Sequence, residues 1–486
     1  MKYIMKIAFI TPELKTFKTR AGGLGQVAEE LVKALREQGV DVFVISVLYP
    51  YKYDGNITRI DYSDLNLKKI LEFDIVLEKP YRVSVFETEK YGTKFYFLFN
   101  EELAPALYYG DLLKFAIFFG KASLTLLREL KIYPDIIHLN DALTSLIAFY
   151  ARYNILFFDF YTTKFVFTIH NAGAAYQQIH PINRLHEISE NNHDKLVYNG
   201  QINLLYTGLV CSDIVNTVSK DYAAWLRAGG EGMKEVFVSK KVFGILNGID
   251  VDYWRAEEYK NVNNPQDLLK IKLEMKNKMI EKFKEITGKK LDLNELIVSA
   301  PRRIAHQKGF EEILKIIPEA CKKGVQFIFI GKAHPNDYAG QEIVRKFKDM
   351  HQNVKNFIFL ETFDENLAKL IYAGSDILIY PSLPNKEPCG TGYMMAMVNA
   401  TPTLGTKTGG LDEVIKDFDE VFETGNGFLV WEEEYSAEAF LEKLLYINEI
   451  YKNKKVWMKV IWNAFNTEVD IRNCAKAYIE KIYKNL

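Results

Sequence analysis

The sequence predicts an α/β protein made of two doubly wound, parallel-sheet (Rossmann-like) lobes that face a cleft. Three observations support this fold class. The chain has 486 residues, more than one domain usually holds. Short runs rich in β-branched and aromatic residues alternate with longer amphipathic segments, and this whole alternation occurs twice. Strands that alternate with helices form right-handed βαβ units, whose parallel sheets are covered by helices on both faces.

The first half of the chain contains the first series of strands. A helical pattern over residues 26–38, ended by Gly39, and another over 115–130 lie among these strands. We therefore expect an N-terminal Rossmann-like domain over residues 1–248. Its predicted strands are residues 6–11, 40–47, 135–139, 164–169, 214–217 and 241–245.

The second half repeats the pattern, with predicted helices over residues 310–323, 341–350 and 365–373. A lysine-rich stretch over residues 257–294 is predicted to be helical and solvated. We expect a second Rossmann-like domain over residues 249–455, followed by helices over 456–486 that cross back to the first lobe. The predicted strands are 296–300, 326–331, 356–360, 376–380 and 401–405.

Composition excludes several classes of function. The 62 basic and 63 acidic side chains leave a net charge of -1, so no surface charge favours nucleic acid or an anionic membrane. No run approaches the ~18 apolar residues of a membrane-spanning helix. The four cysteines have neither disulfide-framework nor zinc spacing, which favours a cytoplasmic protein with reduced thiols.

Two glycine loops are candidates for binding an anion. Arg20, Gly22 and Gly23 follow the first predicted strand and open a helix, and Thr408-Gly409-Gly410 opens another. Glycines allow backbone N–H groups to approach a phosphate closely at a helix N-terminus. The spacing of the first loop differs from the dinucleotide fingerprint, and a tight turn without a ligand is the alternative.

Two cations, Arg303 and Lys308, lie five residues apart directly after a predicted strand. Both can point into the cleft, where they would neutralise the charge that develops on a departing nucleotide diphosphate. The alternative is an ordinary solvated basic turn. Several other polar loops also follow predicted strands in both halves of the chain. Their number favours the functional interpretation of Arg303 and Lys308 over the basic turn.

A carboxylate precedes a glycine-rich turn in the segment Glu387-Pro388-Cys389-Gly390-Thr391. Such a carboxylate can bind sugar hydroxyls while the N–H groups after it hold phosphate. Tyr372 is a candidate for stacking on a base, although an aromatic residue on a helix more often belongs to the core. No metal site is predicted, because the four histidines between His170 and His193 lack ligand spacing and Asp250-Val251-Asp252 falls in a turn.

Taken in order, these segments resemble the glycogen and starch synthases, which are retaining glycosyltransferases of the GT-B architecture. The resemblance runs from Ile7 to Val414. Each piece is modest alone, and their order is specific. The strongest pieces are residues 166–171, 216–219, 245–250, Arg303 with Gln307-Lys308-Gly309, and residues 371–376, 387–390 and 408–411.

The resemblance implies that glucose is transferred with retention from ADP-glucose or UDP-glucose to the non-reducing end of an α-1,4-glucan. It implies no cofactor and no metal, and its partners are a nucleotide-sugar donor and an α-glucan acceptor. Acceptor length, oligomeric state and allosteric regulation stay open. Attack occurs on the face that the leaving phosphate departs from, without an established enzyme nucleophile.

The resemblance also implies that the domain at residues 1–248 lies on the acceptor side of the cleft and that the domain at residues 249–455 binds the nucleotide sugar. It further assigns roles to residues. Arg303 and Lys308 would hold the diphosphate, Glu387 the glucosyl hydroxyls, and His170 with Asn171 the sugar near its reacting carbon. Tyr372 would stack on the base. The remaining residues line the phosphate, sugar or cleft surfaces: Arg20, Gly22, Gly23, Asp141, Asn247, Cys389, Gly390, Thr391, Thr408, Gly409 and Gly410.

Four positions depart from the family pattern. Arg20, Ala21 and Gln26 stand in the first loop, where the family has Lys-Thr and an Asp, and Leu143 stands where it has a histidine. A non-catalytic glucan-binding protein and a GT-B enzyme with a small-sugar acceptor therefore stay as alternatives.

Some segments, including residues 331–335 and 387–399, resemble α-glucan phosphorylases instead. The position of their pyridoxal-phosphate lysine is Met395 here, and a thioether cannot form the imine. This alternative is therefore a phosphorylase-like enzyme without pyridoxal phosphate.

Overall fold

The computed structural model of the protein describes residues 5–19, 22–53 and 55–486. The chain forms two compact units. The first comprises Met1–Asn247 together with Ile471–Leu486, and the second comprises Gly248–Asp470. All four cysteines are free. Within the described ranges, no helix combines the length and the apolar composition that crossing a bilayer requires.

The first unit contains fourteen of the strands that the structure describes and seven of the α-helices. Its strands are β1 (Lys6–Ile10), β2 (Asp41–Val47), β3 (Tyr51–Tyr53), β4 (Ile57–Arg59), β5 (Lys68–Val76), β6 (Pro80–Lys90), β7 (Thr93–Phe99), β8 (Ile136–Asn140), β9 (Lys164–Ile169), β10 (Ile179–His180), β11 (Val197–Tyr198), β12 (Gln201–Asn203), β13 (Ile214–Thr217) and β14 (Phe243–Gly244). Its helices are α1 (Leu24–Glu37), α2 (Leu112–Glu129), α3 (Ser145–Tyr153), α4 (Leu204–Cys211), α5 (Lys220–Ala228), α6 (Lys234–Ser239) and, from the end of the chain, α16 (Ile471–Lys481).

The main sheet of this unit is mixed rather than wholly parallel. Its strand order is β14-β13-β9-β8-β1-β2-β7-β6-β5. Strands β14 through β7 pair in parallel, whereas β6 is antiparallel to both β7 and β5. The predicted parallel sheet is present from β14 to β7, and the edge strands β6 and β5 add an antiparallel extension to it. Tyr91 and Gly92 join β6 to β7 with φ angles of 57° and 66°, the left-handed turn geometry of a tight hairpin.

The last helix of the first unit, α16, is held by buried polar contacts. Tyr483 Oη lies 2.7 Å from His138 Nδ1, and Asn216 Nδ2 donates to Tyr478 Oη at 3.0 Å. Thr168 Oγ1 lies 2.7 Å from His138 Nε2 and donates to Asn216 Oδ1. Burial lowers the pKa of His138 to about 3, so the ring is neutral at physiological pH. This network fixes α16 on strands β8, β9 and β13.

The second unit contains a six-stranded, wholly parallel sheet in the order β17-β16-β15-β18-β19-β20. In this order the chain adds strands on one side of β15 and then on the other, so the topological switch point lies between β15 and β18, where doubly wound sheets bind ligands. The strands are β15 (Ile297–Pro301), β16 (Gln326–Ile330), β17 (Phe357–Leu360), β18 (Ile377–Tyr380), β19 (Thr403–Thr406) and β20 (Phe428–Val430). The helices are α7 (Val251–Trp254), α8 (Pro265–Thr287), α9 (Phe310–Lys322), α10 (Tyr338–Asn353), α11 (Glu365–Gly374), α12 (Gly392–Met397), α13 (Gly410–Val414), α14 (Ala437–Lys452) and α15 (Lys454–Phe465).

Helix α8 corrects the prediction of a wholly solvated lysine-rich stretch. Lys276 Nζ forms a buried ion pair with Asp376 at 2.6 Å. Lys272 Nζ donates to the carbonyl of Ala373 at 3.1 Å, and burial lowers its pKa to about 7. Lysines are rarely buried unless they are paired, so composition alone points to a solvated helix. In the folded protein one face of α8 packs inside the second unit.

Candidate active site

In the first unit, two partly buried polar residues, Asp141 and His170, follow the neighbouring strands β8 and β9. The backbone N–H of His170 donates to Asp141 Oδ1 at 2.8 Å, and His170 Nε2 lies 2.9 Å from Asn140 Oδ1. Asn140 Nδ2 donates to the carbonyl of Ile10, so its Oδ1 faces the histidine as an acceptor. Nε2 therefore carries the proton, which leaves Nδ1 as the acceptor of the ring.

Burial sets the charge of both groups. It raises the pKa of Asp141 to about 7, with a further contribution from the charge of Glu13. It lowers the pKa of His170 to about 4, so His170 is neutral at physiological pH. Asp141 has a φ of 60°, a conformation that costs a non-glycine residue energy and that clusters at functional sites. The pair offers hydrogen bonds to a ligand without a full positive charge.

The first glycine loop lies beside a carboxylate that the sequence did not reveal. Glu13 Oε2 accepts a hydrogen bond from the backbone N–H of Gly22 at 2.9 Å, and Glu13 Oε1 accepts one from Tyr108 Oη. Among the described residues, a Cβ atom added to Gly22 or Gly23 would meet no atom within 4 Å. Packing therefore does not require glycine here, which leaves room for a ligand. Arg20 lies outside the described residues.

The other residues predicted in the first unit are buried or form hydrogen bonds within the fold. Asn171 Oδ1 accepts a hydrogen bond from the backbone N–H of Gly173 at 2.8 Å, and Asn247 is buried at the end of the unit. Leu143 is buried in the core. Gln26 is fully buried in α1, and neither atom of its amide has a hydrogen-bond partner in the part of the chain that the structure describes.

In the second unit, a single carboxylate oxygen gathers three donors. Glu387 Oε2 accepts from Lys308 Nζ at 2.5 Å, from Arg302 Nη2 at 2.7 Å and from Ser382 Oγ at 2.9 Å. Arg302 follows β15 and Ser382 follows β18. These adjacent parallel strands end at the same edge of the sheet, at its topological switch point. The fold thus brings distant sequence motifs together.

This cluster is buried and carries excess positive charge. Burial opposes ionisation of Glu387, but Lys308 and Arg302 outweigh it and hold the pKa of that carboxyl at about 2. Burial lowers the pKa of Lys308 to about 8, Glu387 opposes this change, and Arg302 and Arg303 reinforce it. The single carboxylate of Glu387 is therefore outnumbered by the nearby cations Lys308 and Arg302, with Arg303 close enough to act on Lys308. An anion that binds here would be stabilised by the excess positive charge.

The structure places the two adjacent arginines differently. Arg302 reaches Glu387, whereas Arg303 is half-buried and acts on Lys308 through its charge. The sequence prediction named Arg303 and not Arg302. Neighbouring residues of an extended segment point in opposite directions, so one of two consecutive arginines is expected to face inward. The sequence does not indicate which one.

Two glycine-rich loops of the second unit pack directly against each other. Gly409 has a φ of 53°, and a Cβ added to it would lie 2.0 Å from the carbonyl oxygen of Glu387. A Cβ on Gly410 would lie 2.8 Å from Cys389 Sγ. The predicted residues Thr408, Gly409 and Gly410 therefore support the loop that carries Glu387. Glycine is required at positions 409 and 410 because a side chain there would overlap the Glu387–Cys389 segment.

The turn after Glu387 is equally restricted. Gly390 has a φ of 72°, and a Cβ there would lie 2.5 Å from Tyr380 Oη. Thr391 precedes α12 as its N-cap residue, and Thr408 Oγ1 accepts a hydrogen bond from the backbone N–H of Asn385 at 2.9 Å. The backbone around the carboxylate is thus held from both sides.

Replacing Gly409 with alanine is expected to lower the free energy of unfolding by about 3 kcal/mol, from left-handed strain and overlap with the Glu387 carbonyl. The matched control is Gly288→Ala, which has a similar φ of 73° but no atom within 4 Å of the added Cβ. The control should lose only about 1 kcal/mol. Urea unfolding of both variants measures the difference, and equal losses would contradict the packing argument.

Tyr372 is buried at the base of this region. Its hydroxyl donates to the carbonyl of Pro301 at 3.4 Å, and its ring meets Trp254 edge-on at 6.4 Å between centroids. Asp250 caps the short helix α7 by accepting from the backbone N–H of Tyr253. Among the described residues, no group of three His, Cys, Asp or Glu side chains is arranged to hold a metal ion.

Comparison with known proteins identifies relatives along the whole chain. A family model for the starch synthase catalytic domain matches residues 6–239, and one for glycosyl transferases group 1 matches residues 280–464. Glycogen synthase of Hydrogenobaculum sp. is 32% identical over 497 residues, covering 99% of this chain and 98% of the relative. Glycogen synthase of Clostridioides difficile is 30% identical over 496 residues, covering 98% of each.

A solved structure agrees with these relatives. The catalytic domain of starch synthase IV from Arabidopsis thaliana, bound to ADP and acarbose, aligns over 99% of both chains with a TM-score of 0.85 and 26% identity. The two α/β units, the family models and this structural match define a glycosyltransferase of the GT-B fold. The chain belongs to the glycogen and starch synthase family. The predicted fold class, enzyme class and family are confirmed.

Proposed function

We propose that this enzyme transfers glucose with retention from ADP-glucose to the non-reducing end of an α-1,4-glucan. The observation that carries the proposal is the buried cluster in which Lys308 and Arg302 converge on Glu387. Its excess positive charge suits a nucleotide diphosphate. Preorganised cations stabilise a leaving group more effectively in a buried site than in water, because they need not reorganise during the reaction.

We assign separate roles to the groups of each unit. In the second unit, Lys308 and Arg303 hold the diphosphate and stabilise its departure, while Glu387 accepts hydrogen bonds from glucosyl hydroxyls. In the first unit, His170 and Asp141 bind sugar hydroxyls as a neutral ring and a carboxyl that is partly protonated near pH 7. Attack on the face that the phosphate leaves retains the anomeric configuration and requires no enzyme nucleophile.

The choice of ADP-glucose over UDP-glucose is supported by the Arabidopsis thaliana relative, whose structure contains ADP. The acarbose in the same structure supports an α-linked oligosaccharide as acceptor. The nucleotide base of the donor and the length of the acceptor can each be tested separately from glucose transfer itself.

A donor and acceptor screen tests the proposal. Purified enzyme is incubated with ADP-glucose or UDP-glucose and with glycogen, maltooligosaccharides or glucose, and released nucleotide is measured. We expect rapid ADP release with glycogen or maltooligosaccharides, slower UDP release, and new linkages that NMR identifies as α-1,4. Release of neither nucleotide would favour a glucan-binding protein without catalysis, and transfer to glucose alone would favour an enzyme with a small-sugar acceptor. Glucose 1-phosphate formed from glycogen and phosphate would favour the phosphorylase alternative.

A further inference from the structure

We infer that Arg302 is a positioning residue of the donor site: it fixes one oxygen of Glu387 so that the other stays open to a sugar hydroxyl. This inference rests on the proposed function for the identity of the ligand. It concerns a residue to which neither the sequence motifs nor the family resemblance gave a role.

Arg302 is held rigidly. Its Nη2 donates to Glu387 Oε2 at 2.7 Å and to Ser382 Oγ at 3.2 Å. The guanidinium carbon lies 3.6 Å from the centroid of the Tyr380 ring, and the side chain is only 9% exposed. A planar guanidinium stacked on an aromatic face has few alternative orientations. Because Arg302 is fixed in this way, its hydrogen bond also fixes the orientation of the Glu387 carboxylate.

The two oxygens of Glu387 differ sharply. Oε2 accepts three hydrogen bonds, from Arg302, Lys308 and Ser382. Within the described ranges, no group donates to Oε1. A carboxylate oxygen has lone pairs for about two strong hydrogen bonds, so Oε2 is saturated and Oε1 is the acceptor that the site leaves for a ligand. Arg302 thus orients Glu387 through the oxygen that does not bind sugar.

A second atom of Arg302 points to a ligand. Nη1 is buried and has no hydrogen-bond partner in the part of the chain that the structure describes. A buried donor left unpaired is costly, and an arginine with a purely structural role would normally satisfy it. A sugar oxygen bound beside Glu387 would supply the missing acceptor.

Removing Arg302 should also change the titration of Lys308. The charged groups that act on Lys308 are Glu387, which raises its pKa, and Arg302 and Arg303, which lower it. Tyr380 and Tyr435 also interact with Arg302, and burial raises the pKa of both far from neutrality. Loss of Arg302 therefore raises the pKa of Lys308 above about 8. Functions that require protonated Lys308 should persist to higher pH.

The experiment compares Arg302→Met with Arg302→Lys and with Arg345→Met, an exposed arginine paired with Glu342 on α10. Steady-state kinetics with ADP-glucose and calorimetric ADP binding are measured from pH 6 to 10 (chosen to span the pKa of Lys308), and melting temperatures report the fold. We expect Arg302→Met to lower kcat/KM about 10–100-fold by misplacing Glu387, with ADP affinity at pH 7 nearly unchanged. Arg302→Lys should recover only part of this loss, because an ammonium lacks the fork.

The pH profile separates positioning from a merely structural role. In Arg302→Met, the alkaline decline of both kcat/KM and ADP affinity should move to higher pH, whereas Arg345→Met should match the wild type. An unshifted decline together with an activity loss that follows the melting temperature would overturn the inference. If the wild type binds ADP but transfers no glucose, the proposed function fails, and the shift in the ADP-binding profile still decides the role of Arg302. Failure of the wild type to bind ADP would overturn both.

Discussion

Replacing Lys308 with methionine is expected to lower kcat/KM for the nucleotide sugar by about 2–4 kcal/mol of transition-state stabilisation, roughly 30–1,000-fold. The ammonium of Lys308 is preorganised by Glu387 at 2.5 Å and is buried. Its loss removes charge stabilisation where the diphosphate departs. Most of the decrease should appear in kcat, because the interaction strengthens as negative charge develops.

The control for this variant is Lys315→Met, a largely exposed lysine on α9 that pairs with Glu312. It should retain wild-type kinetics, since exposed ion pairs contribute little. Both variants should melt near the wild-type temperature, because Glu387 keeps Arg302 as its partner when Lys308 is removed. Unchanged turnover in Lys308→Met would remove this residue from the mechanism.

Replacing Glu387 with glutamine is expected to affect both stability and activity. Lys308 and Arg302 would remain buried without their shared counter-charge, a change that costs about 3–5 kcal/mol for a buried ion pair. Transfer activity should be lost with it, since the same side chain binds the sugar. Urea unfolding at pH 7 and nucleotide release measure the two effects. The control is Glu342→Gln, an exposed carboxylate that pairs with Arg345.

The pH dependence of stability gives a further check on this variant. The pKa of Glu387 is depressed in the folded state from 4.5 to about 2. Its stabilising contribution is therefore fully present above about pH 4.5 and is lost as the pH falls towards 2. The difference in unfolding free energy between wild type and Glu387→Gln should shrink over this window. A constant difference from pH 7 to 2 would contradict the ion-pair explanation.

The regular elements were largely predictable because their signals are local. Helix α9 was predicted at residues 310–323 and spans Phe310–Lys322, and β9 was predicted at residues 164–169, its observed span. The antiparallel edge of the first sheet was missed. Its signals were present, since Tyr81, Val83 and Val85 alternate with exposed or partly exposed residues and Tyr91-Gly92 forms a tight turn. Strands of parallel sheets are continuous apolar runs, and the alternating pattern of β6 does not match them.

The candidate site was only partly predictable, because it depends on contacts between distant segments. Lys308 and Glu387 were identified from their motifs, and the structure joins them at 2.5 Å. Arg302, Glu13 and Tyr108 were missed because no local pattern indicates where their side chains point. Arg302 meets Glu387 across 85 positions of sequence, and Tyr108 meets Glu13 across 95. Such partners become visible only when strand order is known.

Because α16 belongs to the first unit, the second unit is an insertion in the sequence of the first. During synthesis, the first unit cannot complete its fold until the whole inserted unit has left the ribosome. Until then, His138 and Thr168 lack their hydrogen-bond partners, the hydroxyls of Tyr483 and Tyr478. A fragment that ends at Asn247 should therefore be a poor autonomous domain, whereas a deletion variant in which a short linker joins Asn247 to residues 471–486 should express better.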